Sequence, residues 1–183
     1  MSEIDGLVKA YERIVKLPWD LSLAGAQKVW FAIYDPSQER RLRLRLDEFA
    51  AVTKNAGYNW QKLDLTDSFA NWMANHEYRE DYFADPEAME IALDGFAEHV
   101  TEEIINALEA VGVDNKTVVA IVGLASLFGL TRASTIFEKA SSSIKGRMLV
   151  FFPGHHEGNN YRLLDARDGW NYLSIAITAD LNN

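Results

Sequence analysis

Apolar residues follow two different spacings along this chain. Residues 3–16 place Ile4, Leu7 and Tyr11 on one side of a helix, which predicts an amphipathic helix near the start of the sequence. Val29–Tyr34 (VWFAIY) is apolar at every position, as is typical of a strand buried on both faces of a parallel sheet. The alternation of these two patterns along the sequence indicates an α/β domain.

The same two patterns continue to the end of the sequence. Further strands are predicted at residues 59–65, 117–124, 147–152, 161–164 and 172–177, and further helices at residues 38–55, 85–110 and 133–144, with a short one after Asp67. Pro153-Gly154 should end the fourth strand, and a turn containing Asp168-Gly169 should join the last two strands. Asp67 and Asp85 are expected to cap the helices that follow them.

Strands that alternate with helices need crossover connections, which place helices on both faces of a mostly parallel sheet. We therefore predict a single α/β domain over residues 1–183, with a three-layer α/β/α arrangement and a mostly parallel sheet of about five strands. An N-terminal helix and loop occupy residues 1–27, and a helical insertion at residues 66–112 separates the second and third strands. The pattern leaves the strand order open.

The turn after the first strand is where a P-loop would hold phosphate. A P-loop needs glycines, whose backbone N–H groups wrap the phosphates, and a lysine that balances their charge. The chain has DPSQE at residues 35–39, with two acids and no lysine, and no GKS or GKT sequence follows residues 123–129. We therefore predict a degenerate P-loop-like core without a Walker A motif, and the pattern argues against a P-loop ATPase or GTPase.

Composition narrows the class of protein further. The chain has no cysteine, which removes disulfides, thiol nucleophiles and thiolate zinc sites and suits a reducing cytoplasm. Its N-terminus lacks the pattern of a signal peptide, and its apolar runs are far shorter than the ~20 residues of a membrane helix, so we expect a soluble cytoplasmic protein without membrane contact. A formal net charge of -9 and a pI near 4.9 argue against DNA as the main partner.

Ligands of open parallel sheets bind at the carboxyl ends of the strands, where the candidate ligand residues are Asp35, Asp67, Ser126 and His155. Adjacent residues of an extended segment point opposite ways, so the pair His155-His156 indicates a polar loop more than a metal site. Residues 123–127 lack the closing glycine of a G-x-S-x-G elbow, which favours a capping role for Ser126. No catalytic residue, metal or cofactor is predicted.

Charged residues are unevenly distributed along the chain. Residues 77–103 contain ten acids and one arginine, which most simply form a solvated face. Positive charge is concentrated at the start of the predicted 38–55 helix, at Arg40, Arg41, Arg43 and Arg45. On a helical wheel Leu44 shares the outer face with Arg40, and an exposed leucine among arginines is the composition of a protein-binding patch. The alternative interpretation is a second packing layer with solvated arginines, because single exposed leucines are common.

Four segments of the chain look familiar: LPWDLSLAGAQKVWFAIYDPSQERRLRLRL (17–46), LDLTDSFANWMANHEYREDYF (63–83), VVAIVGLASLFGLTR (118–132) and RMLVFFPGHHEGNNYRLLDARDGWNYLSIAI (147–177). They resemble the BrxB family, the small accessory component of bacterial BREX anti-phage systems. The resemblance covers nearly the whole chain in the expected order, and the last segment is the most distinctive.

The resemblance implies a role in antiviral defence. BREX modules combine a DNA methyltransferase with an AAA-type ATPase and a phosphatase-superfamily protein called PglZ, and the BrxB family has no assigned catalytic residues. It therefore implies a non-enzymatic accessory subunit that bridges or positions larger subunits, PglZ first and the ATPase second. Two alternatives from the residues stay open, namely a nucleotide- or metal-binding enzyme at the strand ends and direct DNA contact through the arginines. The sequence does not decide whether the protein self-associates.

Overall fold

The computed structural model describes residues 2–166 and 169–179. Its helices are α1 (Glu3–Val15), α2 (Glu39–Leu44), α3 (Leu46–Asn55), α4 (Ser68–Ala74), α5 (Arg79–Ala84), α6 (Leu93–Glu109) and α7 (Ala133–Ala140). Its strands are β1 (Val29–Tyr34), β2 (Asn59–Asp64), β3 (Thr117–Val122), β4 (Arg147–Glu157), β5 (Asn160–Leu163), β6 (Trp170–Asn171) and β7 (Ile175–Ile177). Within these described ranges, no helix has the length and apolar character needed to cross a membrane.

Five parallel strands form the core sheet in the order β2-β3-β4-β1-β7. β1 lies between β4 and β7, and all six of its residues are buried. The last residues of β4 leave the parallel sheet and pair antiparallel with β5, which pairs in turn with β6. The predicted mixed α/β fold with a mostly parallel sheet is confirmed.

The side chains of β1 divide between two hydrophobic clusters. Phe31 and Ile33 are buried with residues of α6 and α7, whereas Trp30 and Tyr34 are buried with residues of α1 and α3. This division follows from the two-residue period of a strand, which sends successive side chains to opposite faces of the sheet. The uninterrupted apolar sequence of β1 therefore serves two cores at once.

β4 continues to Glu157, so the prediction that Pro153-Gly154 ends the fourth strand was wrong. Pro153 lies opposite Tyr34 at the end of the parallel ladder; proline has no N–H to donate, but it keeps the chain extended. Gly154 makes room for β5, because a Cβ there would lie 2.1 Å from the carbonyl oxygen of Arg162. The dipeptide therefore changes the partner of β4 instead of ending the strand.

The predicted helix over residues 38–55 is in fact two helices, α2 and α3, which separate at Arg45. Arg45 has φ -118° and ψ 10°, outside the helical region, and its N–H bonds the Leu42 carbonyl oxygen at 2.9 Å, three residues back. The apolar positions keep the predicted sides, since Leu42 and Leu46 are buried and Leu44 is exposed. The break therefore interrupts the helix without turning the apolar stripe away from the core.

Other predicted elements are shorter than expected. The predicted 85–110 helix is regular only over α6, because Pro86–Ala92 forms a 3-10 helix. The side chains of Asp67 and Asp85 do not cap the helices that follow them, so that prediction was also wrong. The last predicted strand is reduced to β7, which pairs parallel with β1, and the antiparallel partner of β5 is β6. Asp168, in the predicted turn, lies outside the described residues.

Candidate functional site

Arg43 fills the carboxyl end of β2, one of the places where a parallel sheet binds ligands. Its Nε lies 2.7 Å from Glu39 Oε1, its Nη1 lies 2.9 Å from Asp64 Oδ2, and its Nη2 donates to Thr66 Oγ1 at 2.7 Å. Tyr34, at the end of β1, donates its hydroxyl to the Glu39 carboxylate. The network ties α2 to the ends of two strands, so the guanidinium of Arg43 is already paired within the fold.

The same network fills the space at the end of β3. Gly123 follows β3 with φ 80°, and a Cβ there would lie 2.6 Å from Thr66 Oγ1 and 2.7 Å from Asp64 Oδ1. Burial acts to raise the pKa of Asp64, but hydrogen bonds from Thr66 and Arg43 outweigh it and hold this pKa below its ordinary value. Asp64 is therefore a charged partner of Arg43 at neutral pH and not a proton donor.

Arg45 is also held within the fold. Its guanidinium contacts the Asp5 carboxylate of α1, and its Nε and Nη2 each lie 2.6 Å from an oxygen of Glu48 in α3. Hydrogen bonds from Ser2 and then from Arg45 hold the pKa of Asp5 below its ordinary value. These ion pairs fasten α1 to the point at which α2 and α3 separate.

Three of the five predicted partner-binding residues remain on the surface. Arg40 and Arg41 are exposed, and Arg41 Nη1 lies 3.1 Å from Gln38 Oε1 at the start of the same helix. Leu44, on the same short helix, is 86% exposed. Arg40, Arg41 and Leu44 are called the arginine patch below. Sequence reasoning grouped Arg43 and Arg45 with these residues, but the fold uses those two side chains for its own ion pairs.

Asp35 and His155, two of the candidate ligand residues, lie together. They line a cavity of about 320 Å³ at the end of β1 and beside the part of β4 that follows its parallel pairing with β1, together with Glu3 and His156. The side chain and backbone N–H of Ser37 lower the pKa of Asp35, and the nearby His155 adds a smaller effect in the same direction. The Asp35 carboxylate is thus charged and already hydrogen-bonded within its own turn. Two of the four candidate ligand residues, Asp35 and His155, therefore line one cavity.

Asp67 and Ser126 lie apart from that cavity. Asp67 follows β2, which is two strands away from β4 in the sheet. Ser126 Oγ lies 2.9 Å from the carbonyl oxygen of Leu65 and 2.7 Å from that of Gly123, so its hydroxyl is used by the backbone of the strand ends. Over residues 2–166 and 169–179, no group of three or more acidic or histidine side chains is placed to hold a metal ion.

Sequence reasoning missed a cavity of about 450 Å³ between the start of α7 and the β5–β6 hairpin. Phe128, Leu130, Leu163 and Trp170 form apolar parts of its wall, and Arg132 is the one titratable side chain among its described lining residues. The described lining residues of this cavity therefore include no acid–base pair. No sequence signal marks the cavity, because its walls come from segments far apart in the chain.

At the amino end of the sheet, one arginine lies among aromatic rings. Sequence reasoning missed this cluster as well. Arg147 opens β4 and is 3% exposed, and its guanidinium carbon lies 5.0 Å and 5.7 Å from the ring centroids of Trp19 and Trp30. Trp19 stacks on Tyr58 with ring centroids 3.7 Å apart. Arg147 Nη2 donates to the Asp20 carbonyl oxygen at 3.0 Å. The cluster holds the loop after α1 against the sheet.

Comparison with models of protein families, with curated proteins and with solved structures found no match for this chain. The resemblance to the BrxB family therefore stays a prediction.

Proposed function

We propose that this protein is a non-enzymatic subunit that works by binding partner proteins, and that the arginine patch is one of its contact surfaces. One contrast within residues 40–45 carries the proposal. Arg43 and Arg45 are held by carboxylates of the fold, whereas Arg40 and Arg41 accompany an 86% exposed Leu44. Guanidinium groups bind carboxylates in a two-pronged geometry, and the leucine offers apolar area between them. The surface therefore suits an acidic partner that presents an apolar side chain.

The scaffold of this surface is, in our proposal, a three-layer α/β/α domain with a P-loop-like core that has lost its phosphate-binding loop. The two hydrophobic clusters on opposite faces of β1 are an argument for the three-layer arrangement. The hydrogen bonds of the turn after β1 are an argument for the loss of the phosphate-binding loop. The Asp35 N–H donates to Glu3 Oε1 at 2.9 Å, and the Ser37 N–H donates to Asp35 Oδ1 at 2.8 Å. Carboxylates thus take the backbone donors that a P-loop would offer to phosphate.

The assembly that we propose is a cytoplasmic BREX anti-phage complex, in which PglZ is the first candidate partner and the AAA-type ATPase the second. The resemblance of the four sequence segments supports this choice. The absence of cysteine from the sequence agrees with a reducing compartment.

A pull-down with purified PglZ and ATPase subunits of the same defence system tests the proposal. Arg40→Glu combined with Arg41→Glu should weaken capture by about tenfold or more, because reversed charges repel an acidic partner. Arg43 stays unchanged in this variant, because its reversal would disturb Glu39 and Asp64 as well. Capture equal to that of the unchanged protein would remove the patch from the proposal.

A matched control keeps this test specific. Lys9→Glu combined with Lys139→Glu makes the same change of charge at exposed positions on α1 and α7. It should capture the companions as the unchanged protein does. If the unchanged protein captures neither companion, the proposed assembly is wrong.

A second candidate function is the binding of a nucleotide or a divalent metal ion at the strand ends. The observation that favours it is the shared cavity of Asp35 and His155. A ligand that binds only the folded state raises the melting temperature. ATP, GTP, Mg²⁺, Mn²⁺ or Zn²⁺ should then raise Tm, and Asp35→Asn should abolish the increase. An unchanged Tm with all five would reject this function.

A further inference from the structure

One strongly negative segment of the protein also exposes large apolar side chains. Residues 77–94, called the acidic arm below, comprise α5, the 3-10 helix Pro86–Ala92 and the start of α6. The acidic arm contains seven acidic residues, all of them exposed, and a single basic one, Arg79. Phe83 and Ile91 are 64% and 90% exposed. The segment therefore combines carboxylates with apolar area that the protein itself does not cover.

The acidic arm is weakly anchored to the rest of the molecule. α5 packs mainly on the 3-10 helix, which packs in turn on the start of α6, and neither α5 nor the 3-10 helix has a buried residue. Arg79 pairs with the adjacent Glu80 at 3.3 Å and donates to the Ala74 carbonyl oxygen at 2.6 Å, so it neutralises little of the remaining charge. Uncovered apolar side chains with a charged surround are typical of a surface that meets another protein.

The arginine patch and the acidic arm lie on different sides of the sheet. Leu42, next to the patch on α2, is buried in the cluster with α1 and α3. The acidic arm leads into α6, whose Phe96 is buried in the cluster on the other side. The sheet separates these clusters, so the two complementary surfaces cannot cover each other within one molecule.

We propose that the arginine patch of one copy of this protein binds the acidic arm of a second copy, so that the chain self-associates head to tail. The inference rests on the proposed function in one respect, since it takes the arginine patch as a docking surface. It adds what that surface accepts, namely an acidic segment with exposed apolar side chains. Contact between two unlike surfaces is heterologous, so it builds open chains, or a ring where the rotation closes.

The two surfaces match in both charge and apolar character. Arg40 and Arg41 supply guanidinium groups for carboxylates of the acidic arm, and Leu44 supplies a surface that Phe83 or Ile91 covers. The net charge of -9 makes whole molecules repel each other, so the contact depends on this local pairing and is weak. An acidic partner would compete with the second copy for the same patch, which links partner binding to the size of the oligomer.

Sedimentation velocity on the full chain, at concentrations up to about 1 mM so that weak contacts are detected, tests this inference. Arg40→Glu with Arg41→Glu, and separately Glu87→Lys with Glu90→Lys, should each lower the association constant by about tenfold or more, because like charges then face each other. All four changes in one chain should restore association, since the charges are then exchanged between the two surfaces. The Lys9→Glu and Lys139→Glu control should associate like the unchanged protein.

Two results would overturn the inference. One is a protein that stays monomeric over the whole concentration range. The other is a fourfold variant that remains as weak as the two double variants, because exchanged charges must attract if these surfaces meet. A monomeric protein whose patch variant still loses companion capture would reject self-association and keep the proposed function. Self-association without any capture of the companion subunits would keep this inference and reject the proposed function.

Discussion

Two arginines hold the opposite ends of the same parallel sheet, and they do so by different physical means. At the amino end, Arg147 is buried against the rings of Trp19 and Trp30 and donates to the carbonyl oxygen of Asp20. At the carboxyl end, Arg43, whose side chain is about one-third exposed, is held by the carboxylates of its neighbours. The first contact is largely removed from water, and the second is not.

This difference determines how each end responds to its surroundings. Burial lowers the pKa of Arg147, and the nearby Asp20 opposes this only in part, but a guanidinium stays protonated over the whole range in which proteins fold. Its attraction to aromatic faces and its packing therefore depend little on pH or salt. Arg43 relies on carboxylates that can be protonated and screened. The contacts at the amino end should therefore stabilise the fold more than those at the carboxyl end, and their contribution should vary less with pH and salt.

Arg147→Ala should have the largest effect on stability. The change removes contacts with two tryptophan rings and two charge-assisted hydrogen bonds, to the carbonyl oxygens of Gly146 and Asp20, so the free energy of unfolding should fall by about 2–3 kcal/mol. Urea unfolding followed by tryptophan fluorescence measures this directly. Arg40→Ala, at an exposed arginine, is the control and should change stability by less than about 0.5 kcal/mol. A loss for Arg147→Ala as small as that of the control would show that the aromatic cluster does not hold the amino end.

Arg43→Glu should have the next largest effect. It places a third carboxylate beside Glu39 and Asp64, so attraction becomes repulsion and the free energy of unfolding should fall by about 1–2 kcal/mol. The side chains of this network are about one-third exposed, and solvent screening keeps the loss below that of Arg147→Ala. Arg43→Gln removes the charge without reversing it and should lose less. Equal losses for the two variants, measured by urea unfolding, would mean that charge is not what matters at this end.

Asp64→Asn should have the smallest effect, below about 1 kcal/mol, and the effect should depend on pH. The pKa of Asp64 is lowered in the folded protein, so its contribution is complete above the pKa of the unfolded chain, about 3.9, and is lost as pH falls through the folded value. The stability difference between the unchanged protein and Asp64→Asn should therefore shrink below about pH 4. The difference for Arg147→Ala should persist there. A constant difference for Asp64→Asn down to pH 2 would contradict the assignment of its lowered pKa.

The fold prediction was right where an element depends on its own neighbouring residues and wrong where it depends on a distant part of the chain. The predicted bounds of β1 are those observed, because a short apolar run rich in aromatic and β-branched residues favours a strand buried on both sides. Pro153-Gly154 misled the prediction because its role depends on β5, which returns to the same place from later in the chain. The break at Arg45 was missed because the helical spacing of the buried Leu42 and Leu46 continues across it.

The candidate site was predictable only in part. The helical wheel placed Leu44 outward correctly, because the inward positions Leu42 and Leu46 have the period of a helix. It did not separate Arg40 and Arg41 from Arg43 and Arg45. Glu39 and Glu48 are close enough in sequence to pair with the last two, but Asp64 and Asp5, which complete those ion pairs, lie far away in the chain. The grouping of Asp35, Asp67, Ser126 and His155 assumed neighbouring strand ends. Asp35 and His155 line one cavity, whereas Asp67 and Ser126 lie outside it, after β2 and β3.

The order of helices and strands and the sides on which apolar residues lie were determined by the sequence itself, because they depend on periods of two or 3.6 residues that any short window contains. Which charged side chains are paired inside the fold, and which are left for another molecule, was decided only by the tertiary structure. An ion pair such as that of Arg43 with Asp64 requires two distant segments to meet within about 3 Å. Local spacing carries no record of that meeting.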